Sequence, residues 1–146
     1  MNRSSSDSSP ARNVERVLRE TASEAFKSPP PELRRQTIAA LHDLGFEIAI
    51  ETNGTLPVLS SIDWVCVSPK AGAPLKQRSG DELKLVYPQD RLWPEEVQGL
   101  DFTHFLLQPM DNGSDDPANV RAAIDYCLAH PKWRLSLQTH KLLGLP

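Results

Sequence analysis

FTHFLLQPMDNGSDDPANVRAAIDYCLAHPKWRLSL, from Phe102 to Leu137, is the stretch on which the fold turns. It opens with an apolar run, Phe102 to Leu107, stopped by Pro109, and closes with a second run, Trp133 to Leu137. Between them, Pro117 to His130 carries Val120, Ala123, Ile124, Cys127 and Leu128 at the three- and four-residue steps of one helix face. A strand, a helix of that length and a second strand make a βαβ unit, whose strands run parallel and whose crossover is right-handed.

The same texture extends toward the N-terminus. Short apolar or β-branched runs recur at Phe46 to Ile50, Ile62 to Val67 and Leu83 to Val86, which brings the expected strands to five. Asn53-Gly54 closes the first, Ser68-Pro69 the second, Pro88 the third and Pro109 the fourth. Polar and turn residues thus gather at strand C-termini, where open α/β sheets and barrels place their ligands. Trp93 to Val97 reads as a further helical turn. Upstream, Pro31 suits the first turn of a helix with an apolar face of Leu33, Ile38, Leu41 and Leu44 and a left-handed cap at Gly45. The expected class is α/β with a largely parallel sheet.

Before that helix the character changes. Ser28-Pro29-Pro30-Pro31 cannot continue a helix, because proline lacks the amide donor and biases the preceding residue away from α geometry. Asn13 to Lys27 places Val14, Val17, Leu18, Ala22, Ala25 and Phe26 on one helical face, and the Ser-rich first dozen residues bury too little apolar surface to order themselves. Residues 1–30 therefore read as a tail plus amphipathic helix, and residues 31–146 as the folded domain.

Composition narrows the function classes. The chain has 146 residues, a formal charge of -3 and no long run of either sign, which argues against a nucleic-acid partner. No stretch approaches the roughly 20 apolar residues of a membrane span, and the opening residues lack the apolar middle of a signal peptide, so a soluble cytoplasmic protein is expected. Cys66 and Cys127, each inside an apolar run, read as buried free thiols.

Five segments, in order, carry a resemblance: Gly45-Phe-Glu-Ile-Ala-Ile-Glu-Thr-Asn-Gly-Thr55, Asp63-Trp-Val-Cys-Val-Ser-Pro-Lys70, Glu82-Leu-Lys-Leu-Val86, Leu107-Gln-Pro-Met-Asp111 and Trp133-Arg-Leu-Ser-Leu-Gln-Thr-His-Lys141. Together, from about Leu33 to Pro146, they resemble the C-terminal portion of the 7-carboxy-7-deazaguanine synthase family, radical S-adenosylmethionine (SAM) enzymes of queuosine and 7-deazapurine biosynthesis. The resemblance implies part of a radical-SAM (β/α) barrel whose N-terminal part is missing. It implies a carbon–nitrogen lyase that converts 6-carboxy-5,6,7,8-tetrahydropterin to 7-carboxy-7-deazaguanine with loss of ammonia. The cofactors implied are SAM, a 4Fe-4S cluster and Mg2+.

Matched motif by motif, Ser68, Pro69 and Lys70 resemble one part of the SAM site, and Gln108, Pro109, Met110 and Asp111 the second. A hydroxyl and an ammonium at a strand end suit ribose and carboxylate oxygens. Pro146 matches the family's chain end beside the pterin, and Glu51, Thr52 and Asn53 are expected to line the same cavity. Read from residue chemistry alone, Ser68-Pro69 and Gln108-Pro109 are also ordinary strand-stopping turns. Lys84, between Leu83 and Leu85, is expected on the face of its strand away from the core. His140 lacks a recognisable catalytic arrangement, and His42, His104 and His130 have no metal-ligand spacing. No catalytic residue and no metal ligand is assigned.

The family's three cluster cysteines, its Gly-Gly-Glu-Pro segment and its magnesium-binding hydroxyl have no counterpart in the 146 residues. Thiolates are a chemical requirement of such a cluster, and Cys66 and Cys127 belong to other segments. The chain is therefore expected to be inactive alone. Two origins compete, a truncated or mis-started reading frame and a genuine short protein. Besides the enzyme, the alternatives are a non-catalytic SAM- or adenosine-binding remnant, one that pairs with a second copy through the family's dimer surface, or one half of a split enzyme.

Overall fold

A computed structural model describes residues 30–111, 113 and 117–144. The expected helix at Asn13 to Lys27, the Ser-rich tail and Pro146 lie outside the described residues. The chain divides into two compact units, whose described parts are 30–49 with 59–63, and 50–58 with 64–111, 113 and 117–144.

In the first unit, α1 spans Pro31–His42. Proline at its first position loses no intrahelical hydrogen bond, since the first amides of a helix have no partner within it. Gly45, at φ 80°, ends it: its amide donates to the His42 carbonyl at 2.8 Å, and that of Phe46 to the Leu41 carbonyl at 3.1 Å. These are the two bonds of a Schellman turn, which glycine enters without a Cβ penalty. The chain then runs to a side-chain tie. Asp63 Oδ2 accepts from the Ile48 amide at 2.7 Å and lies 2.8 Å from His42 Nε2, and the Asp63 amide donates to the Ile48 carbonyl at 3.0 Å. The Ile48 amide, followed by His42, holds the Asp63 carboxyl below its usual range.

The second unit is built on a five-stranded parallel sheet in the order β1-β2-β3-β4-β5. The strands are β1 (Ala49–Thr52), whose first residue falls in the first unit, β2 (Trp64–Val67), β3 (Ser79–Tyr87), β4 (Asp101–Pro109) and β5 (Trp133–Leu135). Between β3 and β4 lies the short α2 (Pro94–Val97), between β4 and β5 lies α3 (Ala118–Ala129), and α4 (Thr139–Leu142) follows β5. The βαβ unit read from Phe102 to Leu137 is present, and α3 packs on β3, β4 and β5.

Strand alternation assigns the faces. Leu83 and Leu85 of β3, Leu107 of β4 and Val67 of β2 are completely buried, and with Val97, Phe102, Phe105 and Trp133 they form the core. Cys127 and Tyr126 of α3 pack against it half-buried. Lys84, between two core leucines, faces the other way, as period two requires, and its Nζ meets Glu51 Oε2 at 2.7 Å. On the described chain both cysteines are free. Cys66 is buried as expected, and burial pushes its thiol up to about 12; Cys127 is only half-buried, with its thiol also raised by burial.

The expected boundaries shift most at the starts of β1 and β3. β1 begins at Ala49 rather than Phe46, because the Ile48 amide is taken by Asp63 and Phe46 sits in the helix-ending turn, 58% exposed. β3 extends back to Ser79 through polar residues that pair with β4, Ser79 opposite Asp101 and Gly80 opposite Phe102. Among the described residues no helix is long and apolar enough to cross a membrane.

Candidate functional site at the strand C-termini

In a parallel sheet all strand C-termini share one edge, so the turns after β1, β2, β3 and β4 lie together. Register fixes their relative height. Val67 is level with Leu83, and Leu83 with Phe105, so Ser68 to Lys70 begin one residue past that line and Gln108 stands three residues past it. Only β3 separates β2 from β4, which sets the two segments about 10 Å apart laterally.

The β2 end is compact. Ser68 is 5% exposed, Pro69 is buried and Lys70 is exposed. The Ser68 amide donates to the Thr52 carbonyl at 2.7 Å, extending the contact between β1 and β2 past the last strand residue. Lys70 Nζ donates to Ser68 Oγ at 3.0 Å, which orients the hydroxyl and leaves the ammonium two further protons for an anionic or polar ligand. Beneath this turn, Gly54 sits at φ 74° with space for no side chain: a Cβ there would lie 2.6 Å from Leu75 Cδ1 and 2.8 Å from Val67 Cγ1.

The β4 end is held from three sides. The Met110 amide donates to the Tyr87 carbonyl at the end of β3 at 2.8 Å, and the Met110 carbonyl accepts from Asn119 Nδ2 of α3, also at 2.8 Å. Asp111 Oδ1 accepts from the Gly113 amide at 2.9 Å, and Oδ2 accepts from Lys141 Nζ of α4. Lys141, followed by the Gly113 amide, holds the Asp111 carboxyl below its usual range. Gln108, level with Val86, is half-buried, and its side-chain amide meets no hydrogen-bond partner among the described residues. A half-buried amide with spare donors and an acceptor is suited to the edge of a heterocycle.

The structure thus brings Ser68, Pro69 and Lys70 to the same sheet edge as Gln108, Pro109, Met110 and Asp111. The residues at the end of β1 make their own contacts. Glu51 pairs with Lys84, and Asn53 Oδ1 accepts from the amide and hydroxyl of Thr55, a local turn. Asn119 and Lys141, which fasten the second segment, were not singled out by the sequence. Neither lies on an apolar stripe, and a polar residue's tie to another element leaves no periodicity.

Among the described residues no group of three or more His, Cys, Asp or Glu is placed to hold a metal ion. An iron–sulfur cluster with three protein thiolates does not fit the residues present, since the chain has two cysteines, one in β2 and one in α3. The Ser68 hydroxyl, the Lys70 ammonium and the Gln108 amide are hydrogen-bonding groups of the kinds that a polar ligand can use.

No family model matches the chain. It is 59% identical over 115 residues to the 7-carboxy-7-deazaguanine synthase of Caulobacter vibrioides, covering 79% of this chain and 54% of that protein. The enzyme of the same name from Burkholderia multivorans is 57% identical over 118 residues, 81% of this chain and 56% of its own length. That of Bordetella pertussis is 54% identical over 115 residues, covering 79% and 54%. The chain spans about half the length of the curated relatives it matches. Identity at this level over about four fifths of the chain places it in the 7-carboxy-7-deazaguanine synthase family, as a match to the C-terminal portion.

Proposed function

We propose that this chain forms the C-terminal side of a SAM- and pterin-binding pocket in a 7-carboxy-7-deazaguanine synthase. The whole enzyme would convert 6-carboxy-5,6,7,8-tetrahydropterin to 7-carboxy-7-deazaguanine and ammonia in 7-deazapurine biosynthesis. The observation that supports this reading best is the shared edge. Two polar segments end parallel strands one strand apart, one offering a hydroxyl with an ammonium and the other a half-buried amide with no partner among the described residues.

Within that reading, Ser68 and Lys70 hold the ribose and carboxylate oxygens of SAM, and Gln108 with Met110 presents amide and apolar surface to the adenine. The Pro69 and Pro109 rings restrict the backbone at each turn, so little entropy is lost when a ligand docks. When bound, SAM supplies the radical chemistry; these residues position it and keep water out. The cluster that starts that chemistry has to be held by thiolates other than this chain's two, so the 146 residues alone do not turn over.

Calorimetry with SAM and with 5′-deoxyadenosine tests the binding half. Both are expected to bind, with affinity reduced about tenfold in Ser68→Ala and in Gln108→Ala, the scale of a lost hydrogen bond to a charged or well-fixed group. No heat at millimolar ligand would sink the SAM reading. Turnover is a separate arm: the chain supplied with iron, sulfide, reductant, SAM, magnesium and the pterin is expected to give no product, and product formation would overturn the inactivity.

A further inference from the structure

We infer that Asp111 and Lys141 form a tie that positions the segment Gln108–Asp111, making Lys141 a positioning residue of the site and Asp111 its anchor. The inference rests on the proposed role of that segment only for its binding consequence; the tie itself stands on geometry.

Both Asp111 carboxylate oxygens are occupied. Oδ1 accepts from the Gly113 amide at 2.9 Å, closing a local turn, and Oδ2 accepts from Lys141 Nζ. The tie spans 30 residues of sequence and joins the end of β4 to α4. α4 has four residues, too short to hold its shape by its own hydrogen bonds, so its place depends on what it is fastened to. Among the described residues, the chain around it is fastened by the Ser136 amide on the Leu107 carbonyl at 2.8 Å and by Lys141 on Asp111. These attachments lie on either side of the Gln108–Met110 stretch, one at Leu107 and one at Asp111. The segment after β5 is thus a brace along the candidate ligand-facing residues, and Gln108 and Met110 retain their side chains for contact.

The test compares amide hydrogen exchange in the full chain, in Asp111→Asn, in Lys141→Gln, in the double variant and in the charge-swapped Asp111→Lys/Lys141→Asp. Met110, whose amide bonds to Tyr87, reports on the segment; Leu143 and Gly144, whose amides bond to the Thr139 and Lys141 carbonyls, report on α4. Both side chains are about half exposed, so screening by water limits the effect to roughly two- to fivefold. Each single variant is expected to speed exchange at both reporters by the same factor, the double variant no further, and the charge swap is expected to restore most of the protection. Exchange that rises at Leu143 and Gly144 alone, single effects that add in the double, or a swap that restores nothing would each overturn the inference. SAM titration is a second arm. If the parent chain binds, Lys141→Gln and Asp111→Asn are expected to weaken it equally, about threefold, while unequal effects or none overturn the positioning role. If the parent chain does not bind, the SAM reading falls and the exchange results alone decide the tie.

Discussion

The two strand-end segments stand at one sheet edge but are built on opposite plans. Ser68 to Lys70 is held by what lies immediately around it: the β1 backbone at Thr52, the buried Val67 before it, and the close packing of the Leu75 and Val67 side chains on Gly54. Gln108 to Asp111 is held by reach, with ties from β3, α3 and α4. A locally built turn is vulnerable to changes in packing beneath it. A turn braced from a distance is vulnerable to polar substitutions far away in sequence that touch no ligand. Substitutions that separate these vulnerabilities probe the comparison directly.

The largest expected effect comes where the plans share a foundation. Leu107 is completely buried and immediately precedes Gln108, and its carbonyl accepts from Ser136. Leu107→Ala is expected to destabilise the chain by about 2–5 kcal/mol, the usual range for a buried leucine, measured by denaturant unfolding. Val67→Ala, under the first segment, removes less volume and is expected to cost less. A larger loss at Val67 would mean that the β2 end carries more of the core than its side-chain size implies.

Gly54→Ala attacks the locally built segment. The new methyl would meet Leu75 and Val67 side-chain atoms inside van der Waals contact, in a backbone conformation that a non-glycine residue adopts only under strain. A loss of about 1–3 kcal/mol is expected, on the scale of overpacking, with the Ser68 amide losing exchange protection and the Met110 amide keeping its own. Equal loosening at Met110 would show that the two segments move as one and would erase the distinction. Asn119→Ala makes the converse cut. It removes the side-chain donor to the Met110 carbonyl, for about 0.5–1.5 kcal/mol, and is expected to loosen Met110 while leaving Ser68 protected.

The contrast also explains what the sequence made legible. Hydrophobic runs mark Leu83, Leu85, Phe105, Leu107 and Trp133, because core residues must alternate on a strand; hence five strands and their crossover helix can be read directly. The start of β3 cannot, since Ser79 to Asp81 are polar and become strand through pairing: Ser79 and Gly80 lie opposite β4, and Asp81 Oδ2 accepts from the Val65 amide at 2.7 Å. Leu137, at the end of an apolar run, falls outside β5 and is 46% exposed, because the chain leaves the ladder after Ser136 bonds to Leu107. The same division holds at the site. Ser68 and Gln108 announce themselves through the prolines that follow them, whereas Asn119 and Lys141 act through single polar contacts with elements distant in sequence, for which no pattern of spacing exists.

The smallest effect is the most selective. Asp111 is held below the ordinary carboxylate range by Lys141, then by the Gly113 amide. A carboxylate depressed on folding contributes its tie fully above its unfolded pKa and loses it as pH falls through the lower folded value. After correction for intrinsic exchange rates, protection at Leu143 and Gly144 is therefore expected to be flat from neutral pH down to about 4 and to fall only below that, while the chain as a whole remains folded. In Asp111→Asn the acid dependence disappears and the low-protection level is already present at neutral pH. The Ser68 amide, whose partner is the Thr52 carbonyl, has no carboxylate in its attachment and is expected to show no step in the same window. A step at Ser68 coincident with that at Gly144 would mean that acid releases the whole sheet edge together, and that the two segments share one support rather than two.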